Sequence, residues 1–312
     1  MSRKVLVTGG AGFIGSHLVD RLISEGYDVR VIDDLSTGKL GNISSHIGGG
    51  RLDFVKGDIR DVPLVRESLK GVGVVVHLAA QTSVPFSVLN PDLTFDINLL
   101  GTQNLLRSSV KEHVDRFVFA SSCAVYGDPK VLPVVETCPT NPISPYAESK
   151  LLGERYCLGF NDQQRLGCVV LRFLNVYGPR QGMNDYSGVI TRFIEFSKQG
   201  VPLVIYGDGS ATRDFVSVQD VVDAILSTRK NSGVEGEILN IGSGIPTSIF
   251  ELAKMVIELS GVDLEICYEK SRAGDIAHSY ADVSKARKFL DYEPKVSLRN
   301  GLRALIEESA RH

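Results

Sequence analysis

The chain has 312 residues, enough for about two domains or one large α/β unit. Its 37 acidic and 34 basic residues leave a net charge of −3, so the composition provides no basic surface for nucleic acid. No apolar run approaches the roughly 18 residues that span a bilayer, and the five scattered cysteines offer neither a zinc motif nor a disulfide framework. We therefore expect a cytoplasmic protein without a signal peptide, a metal, or a nucleic-acid or membrane partner.

The first part of the chain alternates between strand-like and helix-like segments. The strand-like runs are short and rich in valine: Lys4–Thr8, Asp28–Ile32, Leu52–Lys56, Val72–His77, Arg116–Ala120 and Cys168–Phe173. Apolar residues at helical spacing occupy 12–25, 91–112 and 145–160, and the last two begin at Asn-Pro and Ser-Pro pairs. Valine-rich strands without alternation are typical of a parallel sheet that is buried on both faces. The pattern predicts an α/β fold with a doubly wound parallel sheet.

The alternation of strand-like and helix-like segments becomes less regular after about residue 174. Helices are predicted near 187–199, 247–259 and 298–310, and Asp214–Val222 and Ile238–Ile241 are interpreted as late returns to the first sheet. We therefore predict two interleaved domains. Residues 1–174 with about 214–243 would bind a dinucleotide, and 175–213 with 244–312 would form a smaller α/β domain that binds the substrate.

A glycine-rich turn follows the first strand. Gly9, Gly12 and Gly15 have the GxxGxxG spacing of a dinucleotide fingerprint, which places a pyrophosphate at the N-terminus of the next helix. From the glycines alone, a plain strand–helix turn remains an alternative. The second strand ends at Asp33 and Asp34, where a carboxylate can bind ribose hydroxyls and repel a 2′-phosphate. Together these features predict a Rossmann-type domain that prefers NAD to NADP.

Asp58 follows the third strand, where it could meet the adenine edge of a dinucleotide. Its alternative role is to cap a helix over Val62–Leu69.

Tyr146 and Lys150 form a YxxxK pair at the start of a predicted helix, so both side chains share one face. A lysine ammonium about 4 Å away would lower the pKa of a tyrosine by roughly three units, which suits a catalytic base. Ser122 ends a parallel strand, where its hydroxyl could bind a substrate hydroxyl. The alternatives are that the pair lies exposed on the helix surface without a function, and that Ser121 and Ser122 only end the strand.

Longer motifs carry a family resemblance. TGGAGFIG, HLAA, SSCAVYG, YAESK, LRFLNVYGPRQ, YGDGSATRDFVSVQD and RAGDIAHSYAD follow one another along nearly the whole chain. In this order they resemble the extended short-chain dehydrogenase/reductase family, and within it the nucleotide-sugar 4-epimerases. The resemblance implies an NAD-dependent isomerase that acts on a UDP-sugar. It also implies a homodimer paired through the helices over 91–112 and 145–160.

The resemblance assigns three groups of site residues. The catalytic residues are Ser122, Tyr146 and Lys150. The cofactor residues are Gly9, Gly12, Phe13, Ile14, Asp33, Asp34, Asp58, Ile59, Leu78, Ala79, Ala80, Asn98, Ser121, Tyr146, Lys150 and Phe173. The substrate residues are Ser122, Asn175, Ile190, Val204, Tyr206, Arg213, Arg272, Asp275 and Ser279. The two arginines suit a pyrophosphate, although an isolated arginine is more often a solvated surface charge.

Departures from the family pattern narrow the expected reaction. Cys123 and Ala124 stand where the family's 4,6-dehydratases carry an acidic pair, and the decarboxylases keep a glutamate at the position of Ala124. Ser279 is small, which would leave room for an N-acetyl group. We expect C4 epimerisation of UDP-glucose and UDP-galactose, and of UDP-GlcNAc and UDP-GalNAc, through a transient 4-keto sugar. The alternatives are UDP-glucuronate 4-epimerase, decarboxylase or reductase activity, or a non-catalytic NAD-binding regulator.

Overall fold

The computed structural model describes residues 4–164, 166–182, 188–271 and 276–309. Its strands in chain order are β1 (Lys4–Thr8), β2 (Asp28–Asp33), β3 (Leu52–Lys56), β4 (Val74–His77), β5 (Arg116–Ser122), β6 (Gly167–Phe173), β7 (Asn175–Tyr177), β8 (Leu203–Tyr206), β9 (Thr212–Ser217), β10 (Ile238–Ile241), β11 (Pro246–Ser248), β12 (Ile266–Glu269) and β13 (His278–Ser279). Seven of them form a parallel sheet in the order β10-β6-β5-β4-β1-β2-β3. The predicted doubly wound parallel sheet is therefore confirmed.

Helices cover both faces of this sheet. They are α1 (Phe13–Ser24), α2 (Val62–Leu69), α3 (Val84–Leu89), α4 (Pro91–Phe95), α5 (Gly101–Lys111), α6 (Pro145–Gln164), α7 (Val189–Gln199), α8 (Val218–Lys230), α9 (Ile249–Ser260), α10 (Ser284–Leu290) and α11 (Leu298–Ser309). Successive strand residues point to opposite faces, so Val5 and Val7 pack in the cluster with α1 and α8, while Leu6 packs with α2, α5 and α6. Within the described ranges, none of the helices combines the length and apolar character that a bilayer crossing needs.

The predicted helix over 91–112 is interrupted by a π turn. Asp96–Leu100 forms this turn between α4 and α5, so the two helices continue one another with one wider turn between them. A π turn accommodates one extra residue and is often found at functional sites. Asn98 is buried inside it.

One strand lies in a different sheet from the one predicted. Thr212–Ser217 (β9) pairs with β7, β11 and β13 in the smaller four-stranded sheet, so the prediction that 214–222 returns to the first sheet is wrong for this strand. The strand also ends earlier, because the Ser217 hydroxyl accepts from the Gln219 amide and caps α8. The prediction for Ile238–Ile241 is confirmed, since β10 pairs with β6.

A third apolar cluster lies under the smaller sheets and is formed by α7, α9, α11 and the adjoining strands. Phe193, Ile205, Leu252 and Leu302 are buried in it. This cluster supports the strands that carry most of the predicted substrate residues. The interleaved division into two domains remains our proposal.

Candidate active site

Most of the predicted cofactor and catalytic residues meet at one edge of the seven-stranded sheet. Asp33 ends β2, Ser121 and Ser122 end β5, and Phe173 ends β6 beside Ser122 in the ladder. Gly9 follows β1 directly. Because the carboxyl ends of parallel strands open onto one crevice, this edge is where a ligand is expected to bind.

The glycine-rich turn is shaped by close backbone contacts. Gly9 has a φ of +71°, and a Cβ there would lie 2.9 Å from the amide nitrogen of Ala79. A Cβ on Gly15 would overlap the carbonyl oxygen of Gly9. The helix that follows begins at Phe13, and its N-cap residue, Gly12, has no side chain that could accept from the first helical amides. The turn and the helix terminus therefore fit a pyrophosphate, which backbone N–H groups and the helix dipole would hold.

Asp33 stands beside this turn as the sequence predicts. Its two carboxylate oxygens accept from the backbone amides of Ala11 at 2.9 Å and Leu35 at 2.8 Å. A carboxylate has further acceptor positions, so it can still bind ribose hydroxyls. Burial raises the pKa of Asp33 and the two amide hydrogen bonds oppose that rise. Asp34 is exposed and accepts from the amide and hydroxyl of Ser36.

Asp58 does not cap the helix that follows it. The cap of α2 is Asp61, whose side chain accepts from the amide of Leu64. Asp58 instead pairs with Arg60 through an ion pair of 2.6 Å, and this guanidinium lowers the pKa of the Asp58 carboxyl. The neighbouring Ile59 is buried. The alternative of a capping role is therefore wrong, while the predicted adenine contact of Asp58 stays a prediction.

Asn98 holds two parts of the crevice together. Its side-chain oxygen accepts from the amide of Gln81 at 2.8 Å, and its side-chain nitrogen donates to the carbonyl of Gln81 and the hydroxyl of Ser149, each at 2.9 Å. The chain over 78–80 precedes Gln81, and Ser149 precedes Lys150 in α6. The structure therefore gives Asn98 a positioning role among the predicted cofactor residues.

A buried histidine next to this segment was missed by the sequence analysis. The Thr102 hydroxyl donates to the carbonyl of Asn98, so its oxygen accepts from Nε2 of His77 at 2.9 Å. Nδ1 of His77 must then accept from the hydroxyl of Thr8 at 2.7 Å. Burial lowers the pKa of His77 to about 3, so the ring is neutral. The chain of bonds links β1, β4 and the π turn.

The three predicted catalytic residues come together from two elements. Ser122 ends β5, and Tyr146 and Lys150 lie one turn apart near the start of α6. The Tyr146 side chain hydrogen-bonds to Ser122. The ammonium of Lys150 donates to the carbonyl of Ala120 at 2.8 Å and lies 5.1 Å from the ring centre of Phe119. The helix is thus attached to the strand that carries the serine.

Burial dominates the ionisation of this pair. It raises the pKa of Tyr146 to about 12, against the effect of the hydrogen bond to Ser122. It lowers the pKa of Lys150 to about 8, while the carboxylate of Glu154 opposes that change. The expectation that the lysine leaves Tyr146 with a lowered pKa is therefore wrong, because desolvation of the phenolate is the largest effect on that pKa. In the protein by itself, Tyr146 carries its proton at neutral pH.

Five of the predicted substrate residues lie on the smaller sheets. Asn175 on β7 donates to the carbonyl of Asp214 at 3.3 Å, and Arg213 on β9 stands in register with Ser279 on β13. Val204 and Tyr206 lie apart from these on β8, which pairs with β12. The Ile190 side chain is buried in the core of this part of the molecule. Arg272 and Asp275 lie outside the described residues.

Cys123 connects the catalytic serine to the substrate side. Its thiol hydrogen-bonds to Ser122 and to Ser279, and burial raises the pKa of the thiol to about 11. Ser279 is buried, and its interaction with the Cys123 thiol places it beside the end of β5 that carries Ser122. A neutral thiol and the methyl group of Ala124 occupy the two positions after the catalytic serine.

Comparisons with known proteins agree with this geometry. The model of the NAD dependent epimerase/dehydratase family matches residues 5–242. A UDP-glucose 4-epimerase of Mycolicibacterium smegmatis is 39% identical over 97% of each chain. The solved UDP-glucose 4-epimerase of Thermotoga maritima with UDP-glucose has a TM-score of 0.94 and 41% identity over 99% of each chain. A UDP-N-acetylglucosamine 4-epimerase from Methanobrevibacter ruminantium, in complex with UDP-N-acetylmuramic acid, has a TM-score of 0.94 and 34% identity over 99% of this chain and 98% of that one. The chain belongs to the NAD dependent epimerase/dehydratase family, and its cofactor is NAD.

Proposed function

We propose that this protein is a UDP-sugar 4-epimerase that interconverts UDP-glucose and UDP-galactose and also accepts the N-acetylated pair. The observation that carries the proposal is the hydrogen-bonded pair of Ser122 and Tyr146, with Lys150 on the next turn, at the sheet edge that carries the glycine-rich turn. The 4-epimerases among the similar proteins support the choice of reaction.

Each residue of the trio has a distinct task in this reaction. Tyr146 takes the proton of the sugar C4 hydroxyl, and Ser122 shares a hydrogen bond with the same hydroxyl. Lys150 supplies a fixed positive charge on the same face of α6, which favours the tyrosinate. When bound, NAD supplies reversible hydride acceptance at C4, and its positively charged ring also favours the tyrosinate. The 4-keto sugar then turns over while its nucleotide stays bound, and Tyr146 returns the proton.

The two residues after Ser122 argue against dehydration and decarboxylation. Elimination of water needs an acid and a base beside the sugar, and here Cys123 has a pKa raised to about 11 while Ala124 has no ionisable group. A decarboxylase of the family would carry a glutamate at Ala124. These two residues therefore favour epimerisation over dehydration or decarboxylation.

The direct test is the incubation of purified protein with UDP-galactose and no added cofactor. We expect UDP-glucose to form, because each turnover regenerates NAD and the protein should retain it. Proton NMR of the anomeric signals follows both sugars at once. UDP-GlcNAc and UDP-glucuronate are assayed in parallel. Failure to convert any of the three would reject the proposal, and conversion of UDP-glucuronate alone would replace it with the glucuronate epimerase.

The contact between Cys123 and Ser279 predicts how the pocket selects sugars. Ser279→Tyr would place an aromatic ring beside Cys123 and shrink the space for a C2 substituent. We expect kcat/KM for UDP-GlcNAc to fall by about tenfold or more relative to UDP-galactose, since steric exclusion acts on the larger sugar. Ser279→Ala is the matched control and should leave the ratio unchanged. An equal loss on both sugars in the tyrosine variant would contradict this role.

We also propose that the protein forms a homodimer through α4, the π turn and α6. Leu93 and Leu100 are 39% and 47% exposed, and Tyr156 on the adjoining α6 is 36% exposed. Apolar side chains exposed on neighbouring helices are typical of a contact surface. In size-exclusion chromatography with light scattering, we expect a dimer for the wild type and a monomer for Leu93→Glu/Leu100→Glu. Ile245→Glu, which also places a charge at an exposed apolar site, is the control. A wild-type monomer would refute this proposal.

A further inference from the structure

A buried ion pair lies directly behind the catalytic trio. Glu154 and Arg172 have side chains that are only 1% and 3% exposed. Arg172 donates to the two carboxylate oxygens of Glu154 at 2.9 and 2.7 Å, and the hydroxyl of Ser121 donates to the same carboxylate at 2.5 Å. Replacing such a pair by apolar side chains often leaves stability unchanged or improves it. Stability alone is therefore a poor reason for this arrangement.

The position of Glu154 links it to the reaction. It follows Lys150 by one helical turn, as Lys150 follows Tyr146, so the three side chains lie on one face of α6. Lys150 is bonded to the carbonyl of Ala120 and Glu154 to the hydroxyl of Ser121, which are the two residues before Ser122. These two adjacent hydrogen bonds therefore fix the position of α6 relative to the end of β5.

The charges around Lys150 come from four elements. The groups on α6 itself are Tyr146, Glu154 and Cys157. Strand β4 contributes the neutral His77, and β6 contributes Arg172, which lies beyond Glu154. The end of β5 contributes the carbonyl of Ala120, the hydroxyl of Ser121 and the Phe119 ring. Burial raises the pKa of the Cys157 thiol, so this group is uncharged. Among the described residues around Lys150, Glu154 is thus the carboxylate that balances two buried cations.

We propose that Glu154 is a positioning residue for the epimerisation: paired with Arg172, it fixes α6 on the end of β5 and maintains the positive charge of Lys150. The catalytic meaning of this role rests on the proposed function. The role itself is a property of the chain that can be measured without turnover.

The ionisation of Lys150 gives that measurement. Burial lowers its pKa from 10.5 to about 8. At a pH between the pKa of Lys150 in the folded protein and its higher pKa in the unfolded chain, the unfolded chain binds more protons than the folded protein. The free energy of unfolding therefore rises with pH over this range, relative to that of a Lys150→Met derivative. The pH at which this rise begins therefore reports the pKa of Lys150. Urea unfolding of each protein and its Lys150→Met derivative, followed from pH 6 to 10, locates it.

Glu154→Gln keeps the shape of the side chain and removes its charge. We expect the onset of the rise to move about one pH unit lower, because a buried ammonium loses a nearby carboxylate. The alkaline limb of kcat should move by a similar amount, with KM and NAD content little changed. Glu148→Gln removes an exposed carboxylate from the same helix and should behave as wild type.

The double variant Glu154→Gln/Arg172→Met separates charge balance from a purely structural role. It removes one buried charge of each sign, so we expect the onset to move back toward pH 8. A purely structural role predicts that the double variant is at least as impaired as the single one. An onset in Glu154→Gln equal to that in Glu148→Gln would overturn the inference. A shifted onset in a protein that converts no UDP-sugar would refute the proposed function alone.

Discussion

Replacing Tyr146 by phenylalanine should abolish turnover while leaving bound NAD in place. The substitution removes the hydroxyl that hydrogen-bonds to Ser122 and that we expect to exchange a proton with the sugar. Loss of a positioned acid–base group lowers kcat by roughly 10²- to 10⁴-fold. Conversion of UDP-galactose measured by NMR gives the rate, and absorbance of the nucleotide released on denaturation gives the NAD content.

The control for this variant lies on the same helix. Tyr156→Phe removes a phenol from a half-exposed position and should leave both the rate and the NAD content unchanged. A Tyr146→Phe protein that keeps a rate within about threefold of wild type, well below the 10²-fold expected for such a group, would remove Tyr146 from its proposed role.

Gly9→Ala should release the cofactor. At a φ of +71° any L side chain strains the backbone, by about 1–2 kcal/mol. The added methyl group would also press against the backbone of Ala79, which belongs to the segment after β4. Displacing both the glycine-rich turn and that segment should weaken NAD binding by at least about tenfold, which corresponds to 1.4 kcal/mol. The NAD content of the purified protein and a titration with NAD measure the loss.

Gly48→Ala separates strain from contact. Gly48 has a φ of +84° and would bring its Cβ near no other atom within 4 Å, so it carries the backbone cost without the collision. We expect this variant to lose some stability and to retain NAD. If the two variants retained NAD equally, the close approach of Gly9 to Ala79 would have no part in cofactor binding.

The parallel sheet could be predicted from the sequence because most of its strands are short valine-rich runs that alternate with helical patterns. The π turn could not, since apolar spacing over 91–112 is nearly the same for a regular helix and for one with a single wider turn. The assignment of Thr212–Ser217 failed for a related reason. Its Asp-Phe-Val-Ser stretch is buried in the smaller sheet, and burial patterns do not say which sheet a strand joins.

At the site, the sequence predicted which neighbouring residues share a face, but it did not predict which distant residues pair. Tyr146 and Lys150 lie four residues apart, so their common face follows from helix geometry. Glu154 and Arg172 are on different elements, and charged residues are usually solvated, so nothing in the sequence pairs them. The role of His77 could not be predicted, because the sequence of an apolar strand does not show which hydroxyl groups surround its last residue. The positions of the substrate residues depend on the smaller sheets, whose pairing the sequence left open.

The π turn makes the length of the chain between Pro91 and Lys111 as important as its composition. A π turn holds about one residue more than an α turn, so deleting Leu99 would close it to a regular turn and leave the buried Leu105 and Leu106 in the core. Asn98 would lose its place in the wider turn, and it would then release Gln81 and Ser149 together. Substitutions in this segment alter one side chain at a time, whereas a single deletion would separate the cofactor crevice from the catalytic helix.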